Sequence, residues 1–289
     1  VEVVTDSGLV GWGETIDVGG TRSVIETKHK PALLGKNPLE HRKLWRALWG
    51  PSFGDGRAVG GVDIALHDLR GKALGQSVAD LYGGRMRDKV LAYASAMNYT
   101  EGVRPEDQFP AEAAELVKRG YKALKTRSGR YELNRELAVV TKIREAVGPD
   151  GNWCIDLHQR FDLNDAVRVC KVMEPFDPFF VEDPVRDEHA LMDLPKLRQM
   201  TDVPLTHGEE WGLRWDFNRL VESHDIDFIR ATLPNVGGIT EMMKVAALCE
   251  THAVGIVPHF TGPIATAALV NCVSTYSGPV MLEYNYGGR

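Results

Sequence analysis

Residues 153–210 contain three short apolar runs that each end in an acidic residue: Trp153-Cys154-Ile155-Asp156, Phe179-Phe180-Val181-Glu182 and Val203-Pro204-Leu205-Thr206-His207-Gly208-Glu209. Such runs are typical of buried strands. The acidic residues follow one another at intervals of about 26 residues, which leaves room for one helix and two loops between strands. We therefore expect Asp156, Glu182 and Glu209 to follow neighbouring parallel strands at the same end of a sheet.

Three converging carboxylates predict a divalent metal site. Ionised carboxylates repel one another unless a cation lies among them, and a set of oxygen ligands suits Mg²⁺ or Mn²⁺. The predicted ligands are Asp156, Glu182 and Glu209. A single acidic residue near a strand end more often caps a helix. We interpret Asp162, Asp183 and Asp187 in that way.

Strand and helix patterns alternate eight times from Val90 onward. Strands are predicted near Val90–Ser95, Tyr121–Thr126, Trp153–Asp156, Phe179–Glu182, Val203–Thr206, Phe228–Thr232, Gly255–Pro258 and Pro279–Glu283. Helical periods lie between them at Ala111–Arg119, Leu133–Val147, Ala166–Met173, Leu191–Met200, Ile239–Thr251 and Ile264–Thr275. This succession predicts an α/β fold, a (β/α)₈-type TIM barrel over residues 90–289 with its last helix absent.

The preceding residues, 1–89, predict a small α+β domain. Val1–Val4 and Leu9–Glu14 form an alternating hairpin around Asp6-Ser7-Gly8. Helical periods follow at Thr21–Leu34, Leu39–Trp49 and Val62–Leu74, and glycines with a charged run at 83–89 mark the boundary. Because the chain opens without Met inside a strand, we expect it to be a fragment or an incompletely ordered copy.

Composition restricts the class of protein. With 289 residues, of which 43% are apolar, the chain is long enough to bury the core of one barrel-sized domain and of a smaller unit beside it. A net charge of −6 without a basic run argues against nucleic acid as a partner. Neither a signal peptide nor a membrane-length apolar run is present. The four cysteines are Cys154, Cys170, Cys249 and Cys272; their wide spacing predicts reduced thiols in the core of a cytoplasmic protein.

The ends of barrel strands carry the remaining candidate residues. Lys125 and Arg127 alternate with Thr126, so both should point inward. His158 lies two residues past Asp156 and points to the same side if its strand continues. Histidines at strand ends are candidates for catalysis, and His259 is a second one. The other candidates are Glu283, at the end of the eighth strand, and Arg160, for which a purely structural charge is the alternative. We interpret His67, His224 and His252 as structural.

Several motifs in the same order resemble the mandelate racemase branch of the enolase superfamily. They are Gly11-Trp12-Gly13-Glu14, Gly61-Val62-Asp63-Ile64-Ala65-Leu66-His67-Asp68 with Gly71-Lys72 and Gly75, Val181-Glu182-Asp183-Pro184, Gly208-Glu209, and Gly237-Gly238-Ile239-Thr240. The resemblance covers almost the whole chain. It implies an α+β capping domain over a (β/α)₇β-type barrel, an essential Mg²⁺, and removal of the proton α to a substrate carboxylate to give an enediolate.

The resemblance also implies roles for single residues. Asp156, Glu182 and Glu209 match the metal ligands, His259 matches the base after the seventh strand, and Glu283 matches the group that hydrogen-bonds the enediolate. The run Asp156-Leu157-His158-Gln159-Arg160 resembles that of acid-sugar dehydratases of the galactonate dehydratase type, where the histidine helps the 3-hydroxyl to leave. Specificity should lie in capping loops at residues 14–22 and 50–60.

Two positions depart from the family pattern. Arg127 replaces the second lysine of a Lys-x-Lys pair, and an arginine is a poor proton abstractor, so it should hold a carboxylate or hydroxyl instead. Thr232 falls where related sequences often have an aspartate paired to the seventh-strand histidine. Threonine can orient an imidazole but cannot supply charge. Either His259 is the base, or it is an acid and another group such as Tyr131 removes the proton.

These residues favour dehydration of a sugar acid, an aldonate or aldarate, to a 2-keto-3-deoxy acid. Mg²⁺, Lys125 and a protonated Glu283 would stabilise the negative charge of the enediolate. One histidine is available for each of the two proton transfers, removal of the α-proton and protonation of the leaving hydroxyl. Two alternatives remain open: a racemase or epimerase of an α-hydroxy acid, and a catalytically impaired metal-binding regulatory homologue. The expected partner is a small-molecule acid sugar, without nucleic acid or membrane, and the expected assembly is a homo-oligomer.

Overall fold

The computed structural model describes residues 1–50 and 55–286, and it opens with the predicted hairpin. Strands β1 (Glu2–Val4) and β2 (Val10–Trp12) pair antiparallel, with Val3 opposite Gly11. A Cβ atom at Gly11 would lie 2.1 Å from the carbonyl oxygen of Ala65. Glycine is therefore required where this strand meets the helix that carries Ala65.

Helices fill the rest of the first ninety residues: α1 (Thr21–Val24), α2 (Lys30–Leu33), α3 (His41–Trp49), α4 (Gly56–Leu74) and α5 (Val78–Leu81), with a π-helical turn at Ile25–His29 between α1 and α2. Apolar side chains of α3 and α4 form a core cluster. Asp55 caps α4 by accepting from the Ala58 backbone N–H. The prediction of a loop at 50–60 is thus wrong for 56–60, because Asp55 caps α4 and the helix begins at Gly56; residues 51–54 lie outside the described part.

The eight predicted strands are present: β3 (Ala92–Ser95), β4 (Ala123–Arg127), β5 (Asn152–Asp156), β6 (Phe180–Glu182), β7 (Leu205–His207), β8 (Phe228–Ile229), β9 (Gly255–Ile256) and β10 (Leu282–Asn285). The helices that alternate with them are α6 (Pro105–Lys118), α7 (Leu133–Val147), α8 (Leu163–Met173), α9 (Ala190–Arg198), α10 (Arg214–Glu222), α11 (Ile239–Thr251) and α12 (Pro263–Ser274). The fold class is the predicted TIM barrel of the enolase type, with an α+β capping segment.

The chain forms two compact units. The first unit contains Val1–Val90, Glu209–Arg219 and Arg230–Val280, and the second unit contains Leu91–Gly208, Leu220–Ile229 and the chain from Met281 onward. In the second unit, parallel strands follow the order β10-β3-β4-β5-β6-β7-β8. In the first unit, β9 makes a parallel bridge between Ile256 and Val280.

Three smaller expectations are confirmed. The four cysteines are buried and free, and burial raises the pKa of Cys170 and of Cys249 to about 12, so these thiols stay protonated. Asp162 caps α8 by accepting from the Asp165 backbone N–H. His67 is a buried structural histidine whose ring nitrogens contact the Asp63 carbonyl and the Tyr82 hydroxyl. In residues 1–50 and 55–286, none of the helices could cross a bilayer.

Candidate active site

Lys125 lies among three carboxylates of the second unit. Asp156 and Glu182 end β5 and β6, whereas Glu283 is the second residue of β10, which continues to Asn285 and not, as predicted, only to Glu283. Lys125 Nζ lies 2.9 Å from both oxygens of Glu182, 2.8 Å from Glu283 Oε1 and 3.3 Å from Asp156 Oδ2. The strand register explains the meeting, since Asp156 pairs with Glu182 across β5 and β6. All four side chains are buried. The three carboxylates therefore converge within reach of one ammonium group.

A second cation lies beside the carboxylates. Arg127 Nη1 is 3.3 Å from Asp156 Oδ2. Carboxylates crowded together in the interior are each stabilised by a neighbouring cation. The donor set of buried carboxylate oxygens fits a hard divalent ion such as Mg²⁺. The alternation of Lys125 and Arg127 along β4 brings both cations to this cluster, whereas Arg160 lies exposed on the loop after β5.

His158 does not continue its strand. β5 ends at Asp156, and both His158 and Gln159 have left-handed backbone, with φ of 50° and 59°. The condition under which His158 would point to the same side as Asp156, a strand continuing through it, is therefore not met. The His158 backbone N–H instead donates to Asp156 Oδ1 at 2.9 Å, and its side chain reaches solvent. Partial desolvation and then the charge of Arg127 lower the pKa of His158, so its imidazole is neutral at pH 7.

A buried histidine, His207, forms a second group of charged side chains in the second unit together with Asp183 and Asp187. His207 Nδ1 lies 3.0 Å from Asp183 Oδ1, and His207 Nε2 lies 3.1 Å from Asp187 Oδ1. The interpretation of both aspartates as helix caps is wrong for this reason: each carboxylate turns to the imidazole. Burial opposes a charge on His207, but Asp183 and Asp187 outweigh it and raise the pKa of His207 to about 9.

Replacing His207 by Gln should destabilise the fold, because it leaves Asp183 buried without its cationic partner. We expect the free energy of unfolding to fall by about 3 kcal/mol at pH 6. The folded pKa near 9 exceeds the ordinary value of 6.5, so the imidazolium stabilises fully below pH 6.5 and loses this effect as pH rises through 9. Urea denaturation in chelator at pH 6 and pH 9.5 measures the difference.

The matched control for that variant is His189→Gln, since His189 is exposed. Its free energy of unfolding should match that of the unchanged protein at both pH values. A loss in His207→Gln of equal size at pH 6 and pH 9.5 would show that the imidazole contributes by shape and not by charge.

Glu209 and His259 lie in the first unit. Glu209 Oε2 accepts from Arg230 Nε at 3.2 Å and lies 3.6 Å from His259 Nε2. The Glu209 backbone carbonyl accepts from the Thr232 hydroxyl at 2.6 Å and from Asn235 Nδ2 at 2.9 Å. The Thr232 hydroxyl therefore holds the Glu209 backbone, and the carboxylate near the His259 imidazole is that of Glu209.

Sequence reasoning assigned no role to Arg230, Asn235 or His207. Arg230 is fully buried and also donates to the Val257 carbonyl at 3.3 Å. A signal for it existed, since it follows β8 directly and charged residues after barrel strands are candidates by the same rule that selected Lys125. Asn235 carries no comparable signal because it lies in a loop.

Tyr131 belongs to a different group of side chains. Its ring lies 3.8 Å from the Arg135 guanidinium carbon and packs against the Tyr99 ring at 5.6 Å between centroids. Its backbone N–H donates to the buried carboxylate of Glu136 at 2.7 Å, and the Tyr99 hydroxyl donates to the same carboxylate. These contacts fix the start of α7 and give no support to Tyr131 as a base.

Comparison with known proteins bears on the whole chain. Residues 1–83 match the N-terminal domain of the mandelate racemase / muconate lactonizing enzyme family, and residues 108–289 match the enolase C-terminal domain-like family. A D-galactonate dehydratase from Pectobacterium atrosepticum is 33% identical over 303 residues, covering 99% of this chain and 78% of the relative.

Solved structures give the same picture. The 3,6-anhydro-D-galactonate cycloisomerase from Zobellia galactanivorans has a TM-score of 0.89 at 30% identity, covering 100% of this chain and 82% of that one. L-Talarate dehydratase from Polaromonas sp. JS666, complexed with Mg and L-glucarate, has a TM-score of 0.87 at 28% identity, covering 98% and 80%.

Proposed function

Because the chain belongs to the mandelate racemase / muconate lactonizing enzyme family of the enolase superfamily, we propose that it is a hydro-lyase that dehydrates a sugar acid. The substrate would be an aldonate or aldarate and the product a 2-keto-3-deoxy acid. Relatives named D-galactonate dehydratase and L-talarate dehydratase support this class of reaction.

The observation that carries the proposal is the cluster of Lys125 with Asp156, Glu182 and Glu283. The hydrogen α to a carboxylate is very weakly acidic, because its removal places a second negative charge on the carboxylate oxygens. A buried ammonium already fixed by carboxylates can meet that charge without reorganising, and one such donor typically supplies about 3 kcal/mol of barrier reduction. Glu283 would hydrogen-bond the same oxygens from β10.

Asp156, Glu182 and Glu209 are the proposed ligands of Mg²⁺, and Mn²⁺ is a chemically similar substitute. When bound, the ion would polarise the substrate carboxylate and stabilise the charge of the enediolate. Support comes from the buried carboxylate pair Asp156 and Glu182 and from the relative solved with Mg. Arg230 and Asn235 would hold Glu209 by its carboxylate and its backbone carbonyl.

Two histidines would move protons at different carbons. His259 would remove the α-proton, and Glu209, one of the proposed metal ligands, lies beside it. His158 would donate to the departing 3-hydroxyl, while Arg127 and Arg160 would bind substrate oxygens. Since His158 is neutral at pH 7 in the free protein, it would need to gain its proton before the hydroxyl leaves.

That lowered pKa of His158 also favours a second candidate function. A neutral imidazole accepts a proton, so His158 and His259 could act as two bases and epimerise an α-hydroxy acid. The composition of the product distinguishes the two functions, because dehydration removes one hydroxyl from the substrate and epimerisation retains it.

A panel of aldonic and aldaric acids with Mg²⁺ tests the proposal, starting with D-galactonate and L-talarate. We expect at least one acid to give a 2-keto-3-deoxy product by mass spectrometry and a keto-acid assay. An epimer with unchanged hydroxyl count would establish the second function. An acid sugar that raises the melting temperature but is not turned over would exclude dehydration. That result would support the alternative of a catalytically impaired metal-binding homologue.

A further inference from the structure

Helix α12 begins without a cap of its own. Its N-cap position is Gly262, which has no side chain to accept the backbone N–H groups of the first turn. Glu14 accepts them from 250 positions earlier in the chain: Glu14 Oε2 lies 2.9 Å from the Ile264 nitrogen and 2.9 Å from the Ala265 nitrogen. A carboxylate is favoured there by the helix dipole. An N-terminal residue thus completes a helix of the barrel.

Gly262 is a glycine because Glu14 occupies its side-chain space. The backbone of Gly262, with φ −66° and ψ 173°, is one that any residue adopts. A Cβ atom there would lie 2.0 Å from Glu14 Oε1 and 2.3 Å from its Cδ. The requirement is therefore room for the carboxylate and not backbone freedom. Two residues far apart in sequence fit each other at this point.

Glu14 is held rigidly on its own side. The Gly13 backbone N–H donates to the Val1 carbonyl at 2.9 Å, and a Cβ at Gly13 would meet the Gly61 carbonyl. The Thr15 hydroxyl donates to the Arg57 carbonyl at 2.8 Å. Gly13 thus packs against α4 and Thr15 donates to it, so the backbone on both sides of Glu14 is held next to this helix.

The segment between β9 and α12 carries His259. Its backbone N–H donates to the Ala231 carbonyl at 3.1 Å, which fixes one end of the segment. Glu14 fixes the other end, at Ile264 and Ala265. We propose that Glu14 is a positioning residue that sets the distance between the His259 imidazole and Glu209 by tethering the start of α12. This inference rests on the proposed role of His259 in α-proton removal.

Helix α11 shows the same device. Its N-cap is Gly238, and Asp63 of α4 accepts from the Thr240 backbone N–H at 2.8 Å and from the Thr240 hydroxyl at 2.7 Å. A Cβ at Gly238 would lie 2.6 Å from Asp63 Oδ2. Residues of the first ninety positions thus cap two helices whose own N-cap residues are glycines. The contact made by Glu14 is therefore one of two of the same kind.

The test is a double-mutant cycle of Glu14→Ala and Gly262→Ser, read by melting temperature, kcat, KM and α-deuterium exchange. Glu14→Ala should lower the melting temperature by roughly 2 °C. It should lower kcat about tenfold with a smaller change in KM, because a misplacement of about 1 Å can cost on the order of 100-fold. Gly262→Ser alone should lower the melting temperature, since its Cβ collides with Glu14.

In the Glu14→Ala background, Gly262→Ser should raise the melting temperature instead of lowering it. The hydroxyl introduced by Gly262→Ser can cap α12 once the carboxylate is gone, so the double variant should recover the melting temperature. Its kcat and exchange rate should stay low because the tether is still missing. Ser77→Ala, which removes the cap of α5 seen at Asp80, is the control for cap loss alone; its melting temperature should fall with kcat unchanged.

A kcat that follows the melting temperature through all variants would overturn the positioning role and leave a structural one. If Glu14→Ala does not fold, Glu14→Asp replaces it, since a carboxylate one methylene shorter cannot reach both nitrogens. Failure of the proposed function has a different signature: His259→Asn would then keep α-deuterium exchange at the rate of the unchanged protein, whatever the Glu14 variants show.

Discussion

In Glu182→Gln we expect the affinity for Mg²⁺ to fall by about 100-fold or more while the protein remains folded. Loss of an outer hydrogen-bond partner of a metal ligand typically costs 10- to 100-fold in affinity, so loss of an anionic ligand should cost at least as much. The fold should survive because Lys125 keeps Asp156 and Glu283 as partners and one of three crowded negative charges is removed. Isothermal titration with Mg²⁺ measures the affinity, and circular dichroism confirms folding.

Glu283→Gln is the matched control. Glu283 lies 2.8 Å from Lys125 Nζ, close to the 2.9 Å of Glu182, and both carboxylates are buried. Unlike Glu182, Glu283 is not a proposed ligand. We expect its Mg²⁺ affinity to be unchanged and its kcat to fall. Equal affinity losses in both variants would mean that the total charge of the cluster, and not ligation by Glu182, holds the ion.

His259→Asn should abolish the reaction at its first step. Removing a general base typically costs 10²- to 10⁴-fold, so exchange of the substrate α-hydrogen with solvent deuterium and formation of keto product should both fall by about that factor. The side chain is half-buried beside Glu209, and Asn keeps a polar group of similar size there. Proton NMR in D₂O follows exchange, and a keto-acid assay follows product.

His158→Asn separates the two proton steps. If His158 serves only the departing hydroxyl, this variant should still exchange the α-hydrogen while forming little keto product. Mg²⁺ affinity should be retained because the contact to Asp156 comes from the His158 backbone N–H and not from its imidazole. Parallel loss of exchange and product in His158→Asn, together with retained exchange in His259→Asn, would reverse the assigned roles.

Local pattern sufficed for the succession of elements. All eight strands lie where short apolar runs predicted them, because burial on both faces of a parallel sheet imposes such runs directly on the sequence. The same pattern identified Asp156 and Glu182 as strand-end residues, and a chain period of two predicted that Lys125 points inward. The predicted strand end at Glu283 is wrong, because β10 continues to Asn285. The predicted domain boundary near residue 90, the homo-oligomer and the cytoplasmic location stay predictions.

Tertiary structure decided which charged groups meet. Asp162, Asp183 and Asp187 are alike in sequence, yet only Asp162 caps a helix, whereas the other two turn to His207. A left-handed turn sets the direction of His158, which the strand pattern predicted only if the strand continued past Asp156. Glu14 and Gly262 fit each other although they lie at opposite ends of the chain. Sequence periodicity reports burial and local direction, but a pairing between distant residues depends on how loops pack, and no local pattern records that packing.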